Sequence, residues 1–469
     1  MFGPMHRPPR PDIIVRPDGE FVVLAAAPRL ERWSWALYDF ANTIFSMNIV
    51  TLYFSVWIAS DLAAGTGGYA LASSVSSLLV ALSIPAFGAL SDERRRRKAW
   101  VVGFTLVCAA ATAALGVIGR GAGPSSGVVL PALAIFVIAN YAYQGALPFY
   151  NAMMPELVPA REHGRLSGYG TALGYVGSIV GMFFIAPFFN GAFPVLGPLP
   201  EGVVRVLRGV PFAGEPGRAA TFVPTALVFV LFALPLFLVC RDHVPISRGL
   251  WPPFSLARPF RAVARSLVET RKHPGLLRMI LCSWFYQDAM GTVIGFMAIY
   301  TVVVMGFAEG SEVTLFVVLT VPSILGAAVA GFLCDRFGPK RTLLGVLIGW
   351  TLLLVGIIAV RSQAQFWLVG ALIGFLFGGI WTAERPLLLT LVPDAEAGRF
   401  FGLLVLSARA AAVVGPLIWA LIVEVLLRDA SPQVSYRVAI ATLAVFMGVA
   451  AWLLRGVPDR HREETAALP

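Results

Sequence analysis

Charge is what this 469-residue chain has least of. Asp, Glu, Lys and Arg make up 13% of it against 58% hydrophobic residues, and its mean hydropathy is +0.78. So little polar surface excludes a soluble globule of this size and places the chain in a membrane. Cysteine is scarce as well. Cys108, Cys240, Cys282 and Cys334 fall singly in apolar stretches, with no CxxC pair, which argues against a disulfide framework or a cysteine-held zinc site. All five histidines, His6, His163, His243, His273 and His461, lie outside the apolar stretches. With no metal-ligand cluster and no nucleophile beside a base, the reading is not an enzyme, and no metal or cofactor is expected. No P-loop or other ATP motif is present, so ATP hydrolysis is not the expected driving force.

What is abundant is apolar sequence in pieces of one length. Stretches of about 20 residues, enough to cross a ~30 Å hydrocarbon layer, number twelve, centred near residues 47, 80, 109, 139, 179, 229, 291, 323, 351, 377, 413 and 444. The net charge of +10 does not indicate nucleic acid, because there is no soluble domain to carry a basic face. It follows topology instead. With the N-terminus inside, the inside segments hold 28 Lys and Arg and the outside segments 7, with Arg409 within a span. That asymmetry predicts both termini cytoplasmic, and with no organellar signal legible the expected location is an inner membrane. Residues 1–32 carry no cleavable-signal layout and are expected to be a cytoplasmic tail.

Residues 241–277 contain WPPF and ARPF and separate the spans six and six. The expected domains are therefore 33–240 and 278–455, with this linker between them and a second tail at 456–469. Duplication is legible on both sides. LVPAREHGRLSG (157–168) and LVPDAEAGRFFG (391–402) agree at seven of twelve positions, each after the fourth span of its half. GALSDERRRRK (88–98) and GFLCDRFGPKR (331–341) each follow a second span, and Tyr38-Asp39 corresponds to Tyr286-Gln287-Asp288 in the first spans. The fold class is all-α: twelve transmembrane helices in two six-helix bundles.

The two glycine-to-basic loops resemble the major facilitator superfamily pattern, although Arg95 stands where the second copy has Gly338. YDFAN in span 1, PELVPAREHGRLSGYGTALGYVGS after span 4 and LVPDAEAGRFFGLLVLSARAAAVVGPL in spans 10 and 11 are similar to the Unidentified Major Facilitator branch, which includes fungal vacuolar amino-acid effluxers. The resemblance implies a transporter. Where that branch has a Ser-Arg-Ser type sequence in span 10 and Lys in span 11, this chain has Ala383-Glu384-Arg385-Pro386 and Arg409. It also implies a cytoplasmic gate in which Asp92 and Asp335 pair with basic groups and helix N-termini, drawing on Gly88, Arg96, Arg165, Gly331, Arg336, Lys340, Arg341 and Arg399. The alternative for Arg94–Arg97 is that they only set topology.

Acids inside spans are costly and point by default toward a partner or water. Counted from the inner boundary, Asp39 lies ~9 Å deep and Asp288 ~15 Å deep, near the midplane. Glu384 and Arg409 lie at ~10–14 Å on consecutive helices and form a candidate ion pair. Asn42, Asn140, Tyr143, Gln144, Tyr286, Gln287, Trp381 and Arg385 extend the polar set, while spans 3, 6, 9 and 12 hold no Asp, Glu, Asn or Gln in their interiors. This contrast points to a translocation path. Asp39 with Asn42 could instead fasten the inner end of span 1, Glu384 with Arg409 could be structural, and Arg385 could snorkel to the surface.

The expected function is alternating-access transport of a small polar solute, an amino acid or similar zwitterion or cation, coupled to protons. A uniporter or a drug exporter of the same fold is the alternative, and a transporter-like sensor is the non-transporting one. Expected partners are the small-molecule substrate, protons and the lipid bilayer, with no nucleic acid, and the chain is expected to act as a monomer.

Overall fold

A computed structural model of the chain describes residues 13–15, 21–64, 67–94, 96–124, 127–193, 197–209, 217–243, 268–307, 312–411 and 414–459. Arg95, the WPPF and ARPF segments and most of the linker lie outside them. In order, the spans are Arg29–Asp61, Gly67–Arg94, Arg97–Gly119, Val129–Met153, His163–Asn190, Phe222–Val239, Leu276–Val303, Glu312–Phe337, Pro339–Ala359, Gln363–Leu391, Ala397–Ala411 continuing as Val414–Ala420, and Pro432–Arg455. Eleven helices among the described residues are long and apolar enough to cross a membrane. Span 7 is the twelfth helix; its polar run Tyr286–Asp288 sets it apart from the others.

Local chemistry sets the ends of these helices. Span 10 starts at a capping box, in which the Ser362 side chain accepts from Gln365 N and the Gln365 side chain accepts from the Ser362 backbone. Span 9 starts with Pro339 directly after Gly338, whose φ of +91° is open only to glycine. Spans 1 and 11 depart from α geometry in π-helical turns at Ser46–Tyr53, Trp57–Asp61 and Leu421–Leu426. Such turns interrupt regular packing and frequently mark functional segments.

The chain divides into two compact units, residues Met1–Pro159 with Leu173–Phe254, and Ala160–Ala172 with Ser255–Pro469. Inside the first, span 1 packs on span 6, span 3 on spans 4 and 6, and span 2 on span 4. Inside the second, span 7 packs on span 12, span 9 on spans 10 and 12, and span 8 on span 10. The pairings match one for one, so the sequence duplication is also a duplication of packing. Spans 3, 6, 9 and 12 expose Leu106, Leu231, Leu238, Leu352, Val355 and Trp452. In water these would be a liability, and in lipid they are the natural outer surface.

Candidate functional site

In the second unit, span 7 brings Ser283, Tyr286 and Gln287 onto one helical face, three and four residues apart. All three donate to Glu384 Oε1 on span 10: Ser283 Oγ at 3.0 Å, Gln287 Nε2 at 3.3 Å, and Tyr286 through its phenol. Glu384 is buried. Neutral donors of span 7 thus satisfy the carboxylate of this buried acid. Trp381 and Arg385 stand half-buried on span 10, and Arg409 half-buried on span 11.

Asp288 lies at the same level of span 7 and is 1% exposed. Its Oδ1 accepts the Gly415 N–H at 2.8 Å, while its Oδ2 is buried with no hydrogen-bond partner. One turn further on, Thr292 is also 1% exposed and its Oγ1 is likewise unpartnered. Both orphaned oxygens border the space in front of Gly415. A Cβ there would lie 2.8 Å from Asp288 Oδ2 and would collide with Thr292 Oγ1. The missing side chain at residue 415 therefore leaves a small polar cradle against a buried acid.

In the first unit, Asp39 and Asn42 are both buried. Span 5 lays its glycine face on this part of span 1. Thr43 Oγ1 donates to Gly174 O at 2.6 Å, and a Cβ at Gly177 would lie 2.7 Å from Phe40 Cα. Asn140 Nδ2 donates to Ser76 Oγ at 2.6 Å, joining spans 4 and 2, and Tyr143 packs on Phe45 with ring centroids 5.1 Å apart. Gln144 Oε1, Asn42 Oδ1 and Asn48 Oδ1 are buried without hydrogen-bond partners. Asn48 was not foreseen; it is an amide within an apolar stretch, the same signal that singled out Asn140.

The expected gate residues fall into two groups. In the first unit Gly88 is buried and Arg96 exposed, while Arg97 is completely buried. Its guanidinium pairs with Asp92 at 3.1 Å and Glu156 at 3.0 Å and donates to Ala152 O at 2.5 Å. Glu156 also accepts the His243 N–H at 2.9 Å, and His243 Nε2 meets Glu31 at 2.8 Å. The start of the linker is thereby strapped to the bundle. Asp242 accepts the Lys98 N–H at 2.9 Å at the start of span 3. Burial, opposed by that hydrogen bond, raises the Asp242 carboxyl to about 6. Glu31, Glu156 and His243 are the residues that sequence reasoning missed here: each lies at the end of a span, where a charge looks merely solvated.

In the second unit Asp335 accepts the Gly164 and Arg165 N–H groups at 2.8 and 3.2 Å, and the Arg165 side chain closes on it at 2.9 Å. This carboxylate serves the N-terminal turn of span 5. Gly331 permits the approach, since a Cβ there would lie 2.7 Å from Gly164 O. Arg399 pairs with Glu269 at 2.5 Å and Glu396 at 2.6 Å. Lys340 Nζ donates to Arg455 O at 3.1 Å, Arg341 pairs with Asp459 at 2.9 Å, and Arg336 lies over the Phe337 ring. Arg165 and Arg399 occupy equivalent places in the repeat yet hold different acids.

Comparison with known proteins agrees with this architecture. The profile of the family described as "Vacuole effluxer Atg22 like" matches residues 65–467. An uncharacterized MFS-type transporter YxiO of Bacillus subtilis is 24% identical over 91% of this chain and 94% of its own length. The multidrug resistance protein MdtG of Proteus mirabilis is 24% identical over 75% of this chain and 78% of its own. Among solved structures, the Escherichia coli fucose:proton symporter FucP superposes with a TM-score of 0.62 at 16% identity, covering 91% of this chain and 97% of that one.

Proposed function

The chain belongs to the vacuole effluxer Atg22-like family of major facilitator transporters, and from that premise we propose alternating-access transport of a small polar solute coupled to protons. Its relatives are transporters, not enzymes. The observation that carries proton coupling is Asp288, a buried acid whose Oδ2 and neighbouring Thr292 hydroxyl both lack partners. An ionised carboxylate in that position is costly, and a proton removes the cost. The neutral acid can then donate to Thr292 Oγ1, and loss of the proton reverses the preference, which is the differential interaction a two-state carrier requires. Asp39, buried at the span 1 and span 5 contact, is the counterpart in the other copy and takes the part of gate or relay. The gate at the cytoplasmic side is assigned to Asp92 and Asp335 with their basic partners.

The substrate reading rests on charge. Asp39, Asp288 and Glu384 stand against Arg385 and Arg409 within the spans, and this near balance suits an amino acid or similar zwitterion, or a small cation, better than a polyanion. The donors on Glu384 support this reading: an ammonium group arriving there would replace neutral hydrogen bonds by a charge-assisted one. The chain is placed in the inner membrane with both termini cytoplasmic, acting as a monomer.

Proteoliposome counterflow with a panel of amino acids, peptides and sugar derivatives identifies the solute. Repeating uptake with and without a pH gradient tests the coupling. Accumulation driven by the gradient and abolished in Asp288→Asn is expected, and equal accumulation under both conditions would sink the proton mechanism. A second reading, export of drug-like compounds, is favoured by the MdtG relative. It predicts that expressing cells lose a cationic dye faster than cells lacking the protein, with no amino acid active in counterflow.

A further inference from the structure

Within the second unit, spans 8, 9 and 10 enclose a groove of about 440 Å³, well within the ~300–1,000 Å³ range of ligand sites. Small residues line it: Gly326 and Gly379 let the helices close on Phe375 and Val346, while a Cβ at Gly345 would meet nothing within 4 Å, and among the described residues its polar lining side chains are Arg341 and Thr342. Thr342 Oγ1 is already spent on Gly338 O at 3.0 Å. The groove borders a face on which Leu325, Val329 and Phe332 are exposed, so the surrounding medium is hydrocarbon, and a long apolar chain is the solute that medium supplies.

The groove's basic end is chemically different. Arg341 is half exposed and uses one N–H on Asp459 at 2.9 Å. A guanidinium has five N–H donors in a fixed fork, which suits phosphate oxygens. Arg336 and Lys340 stand within five residues of Arg341 in the sequence, while the neighbouring acid Asp335 is taken up by Gly164 and Arg165. Among the described residues, Asp459 is the acid paired with this group of three basic side chains. We propose that this groove is a site for one anionic phospholipid, an acyl chain lying along its small-residue lining and the phosphate held by Arg341, with Arg336 and Lys340 adding the preference for negative charge.

The position of Gly345 makes the site testable without disturbing the fold, because a Cβ there meets nothing within 4 Å. A leucine at that position has room to enter the groove and block the chain. The full-length protein in nonionic detergent would be titrated with phosphatidylglycerol, with phosphatidylcholine of the same chains, and with inorganic phosphate, reading melting temperature and lipid retained in native mass spectra. Phosphatidylglycerol alone should be retained and should raise the melting temperature. Arg341→Ala should weaken it about fivefold, as expected for one basic side chain near an anionic headgroup, and Gly345→Leu should abolish its retention while the protein still melts cooperatively. Asp459→Asn, which frees Arg341 of its acid, should keep the preference. Equal effects of the two lipids, a phosphatidylglycerol effect that survives Gly345→Leu, or an effect reproduced by inorganic phosphate would each overturn the proposal.

Discussion

Arg97 and Asp288 are two opposite solutions to charge in an apolar surrounding. Arg97 is completely buried and its two terminal nitrogens are held by Asp92, Glu156 and the Ala152 carbonyl. Breaking such a pair leaves uncompensated buried charge, at about 3–5 kcal/mol. Arg97→Ala should therefore lower the melting temperature sharply, and Arg97→Lys should recover only part of it, because an ammonium cannot reproduce the fork. Asp288 is left half satisfied. Gly415→Ala would push a methyl group onto Thr292 Oγ1 and Asp288 Oδ2, at about 1–3 kcal/mol of overpacking; gradient-driven uptake should fall with it.

Asp242 gives a pH signature outside the spans. Its carboxyl is raised from 3.8 to about 6 in the folded chain, chiefly by burial. The folded state therefore holds this proton more tightly than the unfolded one, a contribution complete below pH 3.8 and lost as pH rises through about 6. Asp242→Asn has no such proton to lose. Its melting temperature should gain on the wild type as pH rises across that window and run parallel to it above; a constant difference from pH 4 to 7 would refute the assignment. At this scale the acids within spans were legible, because an intramembrane carboxylate stands out in any sequence. The partners were not: Glu384 with three neutral donors, and Arg97 with Glu156 some sixty residues away, depend on which faces the helices turn to each other.

Among the elements, the loop between spans 8 and 9 shows how a motif becomes geometry. Gly331 allows close approach, Asp335 caps the Gly164 and Arg165 N–H groups, and Gly338 turns the chain at φ +91°. Gly338→Ala forces a side chain into a conformation that costs about 1–3 kcal/mol. Thermal denaturation in detergent should show that loss, with no comparable effect from alanine at Gly345, where a Cβ meets nothing. The motif itself was legible from its residues. The π-helical turns of spans 1 and 11 were not, since periodicity along an apolar stretch cannot distinguish one extra residue per turn.

For the whole molecule, the asymmetry of basic residues predicts the orientation. A single cysteine introduced at Arg120 should react with a membrane-impermeant maleimide from outside intact cells, and one at Arg336 only after permeabilisation. The four native cysteines are buried and unpaired, so they should contribute little background; the reverse labelling pattern would reject the orientation. Sequence alone determined the twelve spans, the duplication and the family resemblance, because span length, charge distribution and internal repetition are properties of the chain read in one dimension. Only the tertiary structure decided which polar groups are satisfied. It paired Glu384 with span 7 and Arg97 with Glu156, left Asp288 and Thr292 facing the gap at Gly415, and opened the groove beside Arg341. Those outcomes depend on which helical faces meet and how closely, and close approach is set jointly by residues far apart in the chain.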